Sequence, residues 1–427
     1  MTSRALHAVL LPGGTATGPF VAALAAALDG TGPALLPLDA SLPRARLTAL
    51  IEAFRPSAVL DGDARMAHRG APGTPDGPSS RAPGPLDGTS SRGGDGVPPG
   101  VAVVIATSGS TGPPKGTQLS AAALLASARA SLRRMGAQPG QRWLCCLPAS
   151  HVAGIQVLVR SLVAGAEPVL LPGHALTSGA VAASNCAYAS LVPTQLRRLT
   201  EEGAGLGGLD AILLGGSAVP PGLLAAARAA GGRVITTYGM SETCGGCVYD
   251  GQPLDGVQVA VSGDGRIRIS GPVLFSGYRG RPDLTAAATD GRWFVTSDLG
   301  SVGPGGRLTV RGRADGMIIS GGENVAADEV AAVLAGCPGV REAAVVGCPD
   351  QEWGELVTAV VVAQDPGRPP ELAVLRDAVR AVLPAAAAPR ALVLVPALPL
   401  LASGKADRLA MSELAARQRN AAGDANR

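Results

Sequence analysis

Short apolar runs alternate with longer helical patterns along most of the chain. In residues 5–61 the apolar runs ALHAVLLP and PALLPLDA alternate with the helical patterns PFVAALAAAL and RARLTALIEAF. The alternation resumes at residue 101 and continues to about residue 240. Strands that alternate with helices are typical of parallel sheets covered by helices. The pattern predicts an α/β fold with mainly parallel sheets.

The pattern changes twice toward the C-terminus. Residues 255–312 hold short, glycine-rich apolar runs, which predict a β-rich lobe, and a compact α+β unit follows. We predict a large, multi-lobed N-terminal domain over residues 1–313, a small C-terminal domain over residues 314–415 and a frayed tail over residues 416–427. Residues 62–100 are so rich in Gly, Pro and Ser that they cannot bury a core, so they are predicted to be a disordered insertion or linker.

Composition narrows the class of protein. The 427 residues are 46% hydrophobic and 16% charged, with 36 basic against 33 acidic residues and a formal charge of +3. This is a globular balance, and a chain of this length needs more than one core. No basic stripe is present and only 3% of residues are aromatic, so we expect no nucleic-acid partner. The chain has no apolar run long enough for a signal peptide or a membrane span, which predicts a cytoplasmic protein.

The seven cysteines are scattered, and only Cys244 and Cys247 form a C-x-x-C. No second pair lies at the spacing of a zinc ribbon. We expect buried free thiols in a reducing compartment, while a redox protein built on this pair remains an alternative.

The stretch TSGSTGPPKG, residues 107–116, follows the apolar run VAVVIA and precedes a helical pattern that begins after Ser120. Glycines let consecutive backbone N–H groups converge on an anion, while hydroxyls and a lysine add donors and charge. The spacing is not that of the P-loop, because Lys115 is followed by Gly116. The stretch is compatible with a phosphate-binding loop or with an ordinary surface turn.

Five further stretches place polar residues and glycines after apolar runs. They are LLGGS (213–217), TTYGMSETCGG (236–246), RWFVTSDLG (292–300), VRGRADGMIISGGENV (310–325) and LPLLASGKADR (398–408). Each alone is explained by a turn, a helix cap or an exposed charge.

In this order, with the loop at 107–116, these stretches resemble the adenylate-forming superfamily, which includes acyl-CoA synthetases, firefly luciferase and the adenylation domains of peptide synthetases. The resemblance runs from Val101 to about Arg408. It implies a large N-terminal domain, a small mobile C-terminal domain and the substrates ATP and coenzyme A with Mg²⁺. It also implies two steps, in which a carboxylate attacks the α-phosphate of ATP and coenzyme A then attacks the acyl-adenylate.

The resemblance also implies which residues would bind the phosphates and the metal. Glu242 matches the magnesium ligand, Ser241 stands where the family usually has threonine, and Thr243 is a second candidate phosphate donor. Lys405 matches the catalytic lysine that bridges the carboxylate and the α-phosphate. The residues expected around the β- and γ-phosphates are Thr107, Ser108, Gly109, Ser110, Thr111, Gly112 and Lys115.

Other positions match the nucleoside site, the hinge and the coenzyme A path. Tyr238 would stack on adenine, Asp298 and Arg313 would bind the ribose, and Asp315 matches the hinge. Relatives often have a polar residue after the hinge acid, where this chain has Gly316. The remaining positions are Gly215, Gly216, Ser217 and Gly239 around the nucleoside, and Gly321 and Gly322 along the pantetheine tunnel.

Two stretches resemble a narrower group, the o-succinylbenzoate–CoA ligases of menaquinone synthesis. They are LPASHVAGIQVLVRSLVAG (147–165) and LVPTQLRRL (191–199), and the short chain agrees with them. His151 would be a gate near the reacting carboxylate, or simply the residue that begins a helix. Arg198, or else Arg197, would bind the second carboxylate of the substrate, unless both are ordinary exposed helix arginines.

We therefore predict an AMP-forming ligase that converts o-succinylbenzoate to its coenzyme A thioester. The alternative is an AMP-forming CoA ligase for another aryl or medium-chain acid. A catalytically dead adenylate-binding protein would be expected to lack Lys405 or Glu242, and a general NTPase would need the P-loop lysine–hydroxyl pair. The sequence leaves open whether the protein is a monomer or a homo-oligomer.

Overall fold

The computed structural model describes residues 3–63, 95–107, 114–400 and 406–424, and the apolar runs of the sequence form its strands. Numbered in chain order, the strands are β1 (Leu6–Leu11), β2 (Ala34–Asp39), β3 (Ala58–Leu60), β4 (Val101–Thr107), β5 (Lys115–Ser120), β6 (Trp143–Cys145), β7 (Val169–Leu170), β8 (Tyr188–Leu191), β9 (Ala211–Leu214), β10 (Val234–Met240), β11 (Gly245–Tyr249), β12 (Gln252–Pro253), β13 (Gln258–Val261), β14 (Arg266–Ser270), β15 (Gly277–Tyr278), β16 (Thr289–Asp290), β17 (Trp293–Val302), β18 (Leu308–Arg313), β19 (Met317–Ser320), β20 (Glu323–Ala326), β21 (Val340–Asp350), β22 (Gly354–Ala363) and β23 (Ala391–Leu394).

Hydroxyl side chains cap the beginnings of three of the helices, those that start at Gly18, Ala121 and Ser178. The hydroxyl of Ser120 accepts a hydrogen bond from the Ala123 N–H at 3.1 Å, as the sequence predicts, and Gly136 ends that helix in the left-handed conformation. The helices are α1 (Gly18–Asp29), α2 (Arg44–Phe54), α3 (Ala121–Met135), α4 (Val152–Val163), α5 (Ser178–Ala183), α6 (Pro193–Glu201), α7 (Pro221–Ala229), α8 (Pro282–Ala287), α9 (Ala327–Leu334), α10 (Leu372–Arg380) and α11 (Arg408–Asp424).

The first sheet has the strand order β15-β5-β4-β2-β1-β3. Strand β1 is parallel to β2 and β3, and β2 is parallel to β4. Strand β5 runs antiparallel to β4, from Thr107 paired with Lys115 to Val101 paired with Ser120. Thr107 and Lys115 therefore lie opposite each other at the ends of two antiparallel strands, whereas the sequence pattern predicted a strand, a loop and then a helix, without β5.

The second sheet positions most of the candidate site. Its order is β12-β11-β10-β9-β8-β6-β7, and the strands from β6 to β10 are parallel. Their carboxyl ends consequently meet at one edge, which is where α/β sheets bind ligands. Strands β11 and β12 continue the sheet in antiparallel orientation.

Two further sheets complete the predicted α/β fold. The antiparallel sheet of β13, β14, β17, β16 and β18 is the β-rich lobe. The last sheet has the order β20-β19-β22-β21, with β23 parallel to β22, and belongs to the small C-terminal domain. Its own core contains Val330, Leu334, Val357 and Leu375. The exact boundary after Arg313 stays a prediction.

Two sequence predictions about disorder need correction. Within the predicted insertion, residues 64–94 lie outside the described residues, but Val97 is buried and forms a bridge with Arg4. The C-terminal end of the predicted insertion is thus part of the first lobe. The predicted frayed tail continues α11 to Asp424, because Met411 and Ala415 anchor that helix on the C-terminal sheet.

Candidate active site

Four consecutive parallel strands deliver the candidate residues to one sheet edge. The chain leaves β6 toward His151 and α4, and leaves β8 directly into α6 with its two arginines. It leaves β9 at Gly215 and β10 at the turn Ser241–Thr243. The sequence stretches that were far apart thereby converge, as expected for the carboxyl ends of parallel strands.

Glu242 lies in the 3-10 turn after β10. Two residues, one in β15 and one just before it, donate hydrogen bonds to it. The Tyr278 hydroxyl donates a hydrogen bond to its carboxylate at 2.7 Å, and the Phe275 N–H donates to its backbone carbonyl at 2.9 Å. The Lys115 ammonium lies 5.3 Å from the centroid of the Tyr278 ring. Burial and the Glu242 carboxylate raise the pKa of Tyr278, so the phenol keeps its proton. Glu242, Tyr278 and Lys115 thus form one cluster beside the end of the loop.

The sequence did not reveal Tyr278. It follows Gly277 in the stretch FSGYRG, which has the composition of an ordinary turn. Only the antiparallel pairing of β15 with β5, which places Tyr278 beside Thr117, brings the ring to Glu242.

Tyr238, Asp298 and Arg313 come together where β10, β17 and β18 meet. The Tyr238 hydroxyl donates to one Asp298 oxygen at 2.8 Å, and the Arg313 guanidinium lies 3.5 Å from the other. Burial, followed by the charge of Asp298, raises the pKa of Tyr238. Asp298 is only 9% exposed, so a ligand hydroxyl would meet a carboxylate that is already fixed in direction.

Arg313 also holds the candidate hinge. Its guanidinium donates to both oxygens of Asp315, at 2.8 and 2.7 Å. The hydrogen bonds from Arg313 lower the pKa of Asp315. One arginine therefore links the residue predicted to bind ribose to the residue predicted to act as the hinge.

The predicted phosphate loop lies mostly outside the described residues. Its ends are fixed, because the Thr107 hydroxyl donates to the Lys115 carbonyl at 3.2 Å across the hairpin. Predicted site residues that fall outside the described part of the chain are Ser108, Gly109, Ser110, Thr111, Gly112 and Lys405.

Thr243 is not placed as the sequence predicted. Its side chain is fully buried, donates to the Gly245 carbonyl at 2.7 Å and accepts from the Met240 N–H at 2.9 Å. The hydroxyl stabilises the turn and does not face a phosphate. Ser241, in the same turn, is half-buried, and its role as a phosphate donor stays a prediction.

At two of the glycines predicted to lie around the nucleoside, packing within the protein explains why no larger residue fits. A Cβ atom at Gly215 would overlap the Thr237 hydroxyl, and one at Gly239 would overlap the Gly245 carbonyl. Both glycines are thus required by packing against neighbouring backbone and side chain. Gly216, with a φ of +91°, and Ser217 are exposed at the sheet edge.

The two arginines of α6 point to different partners. Arg198 donates to the Gly173 carbonyl at 2.9 Å, beside the carboxyl end of β6. Arg197 forms an ion pair of 2.6 Å with Glu342 of the C-terminal domain. His151 is half-buried at the residue that precedes α4, and its side chain does not cap that helix.

Gly321 and Gly322 form the two-residue turn of the hairpin between β19 and β20. Their φ angles of +61° and +83° suit such a turn, and both are exposed in this domain arrangement. Gly321 packs against Trp353, since a Cβ there would lie 3.0 Å from the indole. Their predicted place along a pantetheine tunnel stays a prediction.

The same geometry shows which residues could bind a metal ion and whether the cysteines could take part in redox chemistry. In the described ranges, no group of three or more His, Cys, Asp or Glu could hold a metal ion. A single carboxylate such as Glu242 nevertheless fits Mg²⁺, which is usually held by one or two carboxylates together with substrate phosphates. All seven cysteines are buried free thiols. Burial raises the pKa of Cys247 to about 12, so the C-x-x-C is not a reactive pair.

Among the residues that the structure describes, no helix is both long enough and apolar enough to cross a membrane.

Known protein families match the chain in two parts, one in the N-terminal region and one in the C-terminal region. Residues 16–279 match the family of AMP-binding enzymes, and residues 329–405 match the C-terminal domain of AMP-binding enzymes. A probable 2-succinylbenzoate–CoA ligase of Mycobacterium tuberculosis (strain H37Rv) is 41% identical over 420 residues, which cover 96% of this chain and 97% of the relative.

Solved structures of an enzyme with the same kind of name are also similar to this chain. The o-succinylbenzoate CoA synthetase of Bacillus subtilis, in complex with its acyl-adenylate intermediate, superimposes with a TM-score of 0.77 at 27% identity, covering 95% of this chain and 88% of that chain. The same enzyme in complex with ATP and magnesium gives a TM-score of 0.76 at 27% identity, covering the same shares.

Proposed function

The chain belongs to the family of AMP-binding enzymes, and we propose that it joins o-succinylbenzoate to coenzyme A through an acyl-adenylate. The observation that carries this proposal is the 41% identity to a probable 2-succinylbenzoate–CoA ligase over 96% of the chain. The proposed substrates are therefore o-succinylbenzoate, ATP and coenzyme A.

The reaction has two steps. An oxygen of the substrate carboxylate attacks the α-phosphorus of ATP, the bond to the β-phosphate oxygen breaks, and pyrophosphate leaves. The thiol sulfur of coenzyme A, after losing its proton, then attacks the acyl carbon and AMP leaves. The first step brings one anion to another, so the site must supply positive charge and fixed positions.

In the proposed site, Lys115 supplies positive charge at the end of the phosphate loop, and Ser241 donates from the turn after β10. Asp298, held by the Tyr238 hydroxyl, accepts the ribose hydroxyls, and Arg313 donates to the same sugar. Lys405 would approach the α-phosphate from the C-terminal domain. These roles come from the family resemblance, and the contacts among Tyr238, Asp298 and Arg313 support them.

Glu242 would hold Mg²⁺ together with phosphate oxygens and water. The bound ion neutralises phosphate charge, which is the chemistry that a hard divalent cation supplies. The protein's part is to hold the Glu242 carboxylate at this edge of the sheet, where the Tyr278 hydroxyl donates a hydrogen bond to it.

The second carboxylate of the substrate needs a cation, because an unpaired buried carboxylate is expensive. Arg198 suits this role better than Arg197. Its guanidinium donates to a neutral carbonyl, and its Nε has no hydrogen-bond partner in the described structure. Arg197 is already paired with Glu342.

Pyrophosphate release over a panel of carboxylic acids tests the proposal. With ATP and Mg²⁺, o-succinylbenzoate should give pyrophosphate, and adding coenzyme A should give AMP and the thioester, identified by mass. Benzoate and a medium-chain fatty acid serve as controls and should react far more slowly. If one of these controls is preferred, the protein is an AMP-forming ligase for another acid. If no acid releases pyrophosphate, the proposed activity is wrong.

A further inference from the structure

Tyr278 is the buried side chain that contacts the proposed metal ligand. The residue is 7% exposed and lies in β15, where its neighbour Gly277 pairs with Gln118 of β5. Its backbone N–H donates to the Thr285 hydroxyl at 2.9 Å, and its ring meets Phe275 edge-on at 4.9 Å. The strand pairing and the Thr285 hydroxyl therefore fix the backbone at Tyr278, and Phe275 packs against its ring.

The same short segment holds Glu242 at two points. The Phe275 N–H fixes the backbone carbonyl of Glu242, and the Tyr278 hydroxyl fixes its carboxylate oxygen Oε1. Within the described ranges, no other hydrogen bond to this carboxylate is present. The rotation of the carboxylate thus depends on one phenol.

Tyr278 also contacts Lys115 at the C-terminal end of the predicted phosphate loop. The Lys115 ammonium lies 5.3 Å from its ring centroid, within the range of a cation–π contact. Lys115 is the first residue of β5, directly after the loop and Pro114. One aromatic side chain thereby contacts both the lysine at the loop end and the carboxylate after β10.

We propose that Tyr278 is a positioning residue for the metal ligand Glu242, an inference that rests on the proposed function. A hydrogen bond from a hydroxyl to a carboxylate is charge-assisted and restricts its direction. With Oε1 holding this bond, the other carboxylate oxygen, Oε2, would be available to a metal ion. Partners that orient a metal ligand in this way typically contribute a factor of roughly 10 to 100 in metal affinity.

The test compares two tyrosines in the full-length protein. Tyr278→Phe removes the hydroxyl at Glu242. Tyr249→Phe removes a buried hydroxyl that lies 2.7 Å from the Ser131 hydroxyl, away from Glu242. Mn²⁺ binding is titrated by electron paramagnetic resonance, with a non-hydrolysable ATP analogue bound. Tyr278→Phe should weaken Mn²⁺ binding roughly 10- to 100-fold. Tyr249→Phe should leave it unchanged.

A second measurement separates positioning from folding. In the pyrophosphate assay, Tyr278→Phe should need more Mg²⁺ for half-maximal rate, and saturating Mg²⁺ should restore most of kcat. The inference is overturned if Mn²⁺ affinity is unchanged, if both variants lose it equally, or if Tyr278→Phe loses metal-free nucleotide affinity as well. If the wild-type protein binds no Mn²⁺ with the analogue present, the failure lies in the proposed function.

Discussion

Arg197 and Arg198 are adjacent in sequence, but α6 directs their side chains to different partners. Arg197 contacts Glu342 in the C-terminal domain, while Arg198 contacts the Gly173 carbonyl, which lies close to the residue after β6. Arg198→Ala should therefore lower kcat/KM for o-succinylbenzoate, with a loss of transition-state stabilisation of roughly 2–5 kcal/mol, the usual loss when one partner of a buried charge pair is left alone. Steady-state kinetics with the dicarboxylate and a monocarboxylate analogue measure this loss.

Arg197→Ala is the matched control for Arg198→Ala. It removes an arginine from the same helix and should change the rates with both acids by a similar factor. Equal losses with both acids in Arg198→Ala would show that this arginine does not bind the second carboxylate.

The sequence predicts the role of a residue only where the type of side chain alone indicates that role. Asp298 and Glu242 stand out in sequence as carboxylates after apolar runs, and the structure places each beside a tyrosine. Thr243 has a suitable hydroxyl but is buried in its turn, which depends on the local backbone and not on composition. Tyr278 lies far from Glu242 in sequence, so only strand pairing reveals it.

At the scale of elements, the hairpin of β19 and β20 presents its glycine turn to solvent. If these glycines line the pantetheine path in a second domain arrangement, Gly322→Leu should slow thioester formation from preformed acyl-adenylate and spare adenylation. Single-turnover assays of the two half-reactions measure this difference.

Gly306→Leu is the matched control for the turn. Gly306 has a φ of +73° and Gly322 one of +83°, and neither has an atom within 4 Å of an added Cβ. Both leucines therefore impose similar backbone strain. The tunnel hypothesis fails if Gly322→Leu slows adenylation and leaves thioester formation intact, or if both variants behave alike.

Hydrophobic periodicity predicted most elements but missed β5. The stretch KGTQLS is short and half polar, so its pattern does not distinguish a strand from a loop. It becomes a strand because β4 offers a complete antiparallel edge across the loop. Helix α3 was predictable because Ser120 and Gly136 mark both of its ends.

For the whole molecule, two reciprocal ion pairs connect α6 to β21. Arg197 pairs with Glu342 at 2.6 Å, and Arg341 pairs with Glu201 at 3.3 Å. The first pair is mostly buried, so Arg197→Glu should disfavour this arrangement of the two domains by about 1 kcal/mol, or roughly fivefold. The double variant Arg197→Glu with Glu342→Arg should restore it.

Single-molecule fluorescence can measure this change. Because all seven native cysteines are buried, labels attach to thiols introduced at the exposed positions Gln138 and Val374, one on each domain. Arg341→Glu is the milder control, since its pair is about half exposed. An unchanged distance distribution in Arg197→Glu would show that the pair does not stabilise the arrangement.

The sequence could not predict such contacts between domains, because each charged residue alone is typical of an exposed helix or strand. The same holds for Val97, which is surrounded by glycine and proline but is buried in the first lobe. The order of motifs, in contrast, sufficed to predict the fold class and the AMP-forming chemistry.

Transfer of oxygen from the acid to AMP tests the central claim most directly. The substrate is o-succinylbenzoate labelled with ¹⁸O in both carboxylates, incubated with ATP, Mg²⁺ and coenzyme A. If a carboxylate oxygen attacks the α-phosphorus, each AMP released should carry one ¹⁸O, seen by mass spectrometry. Unlabelled AMP, or ADP with the label in inorganic phosphate, would contradict the acyl-adenylate route.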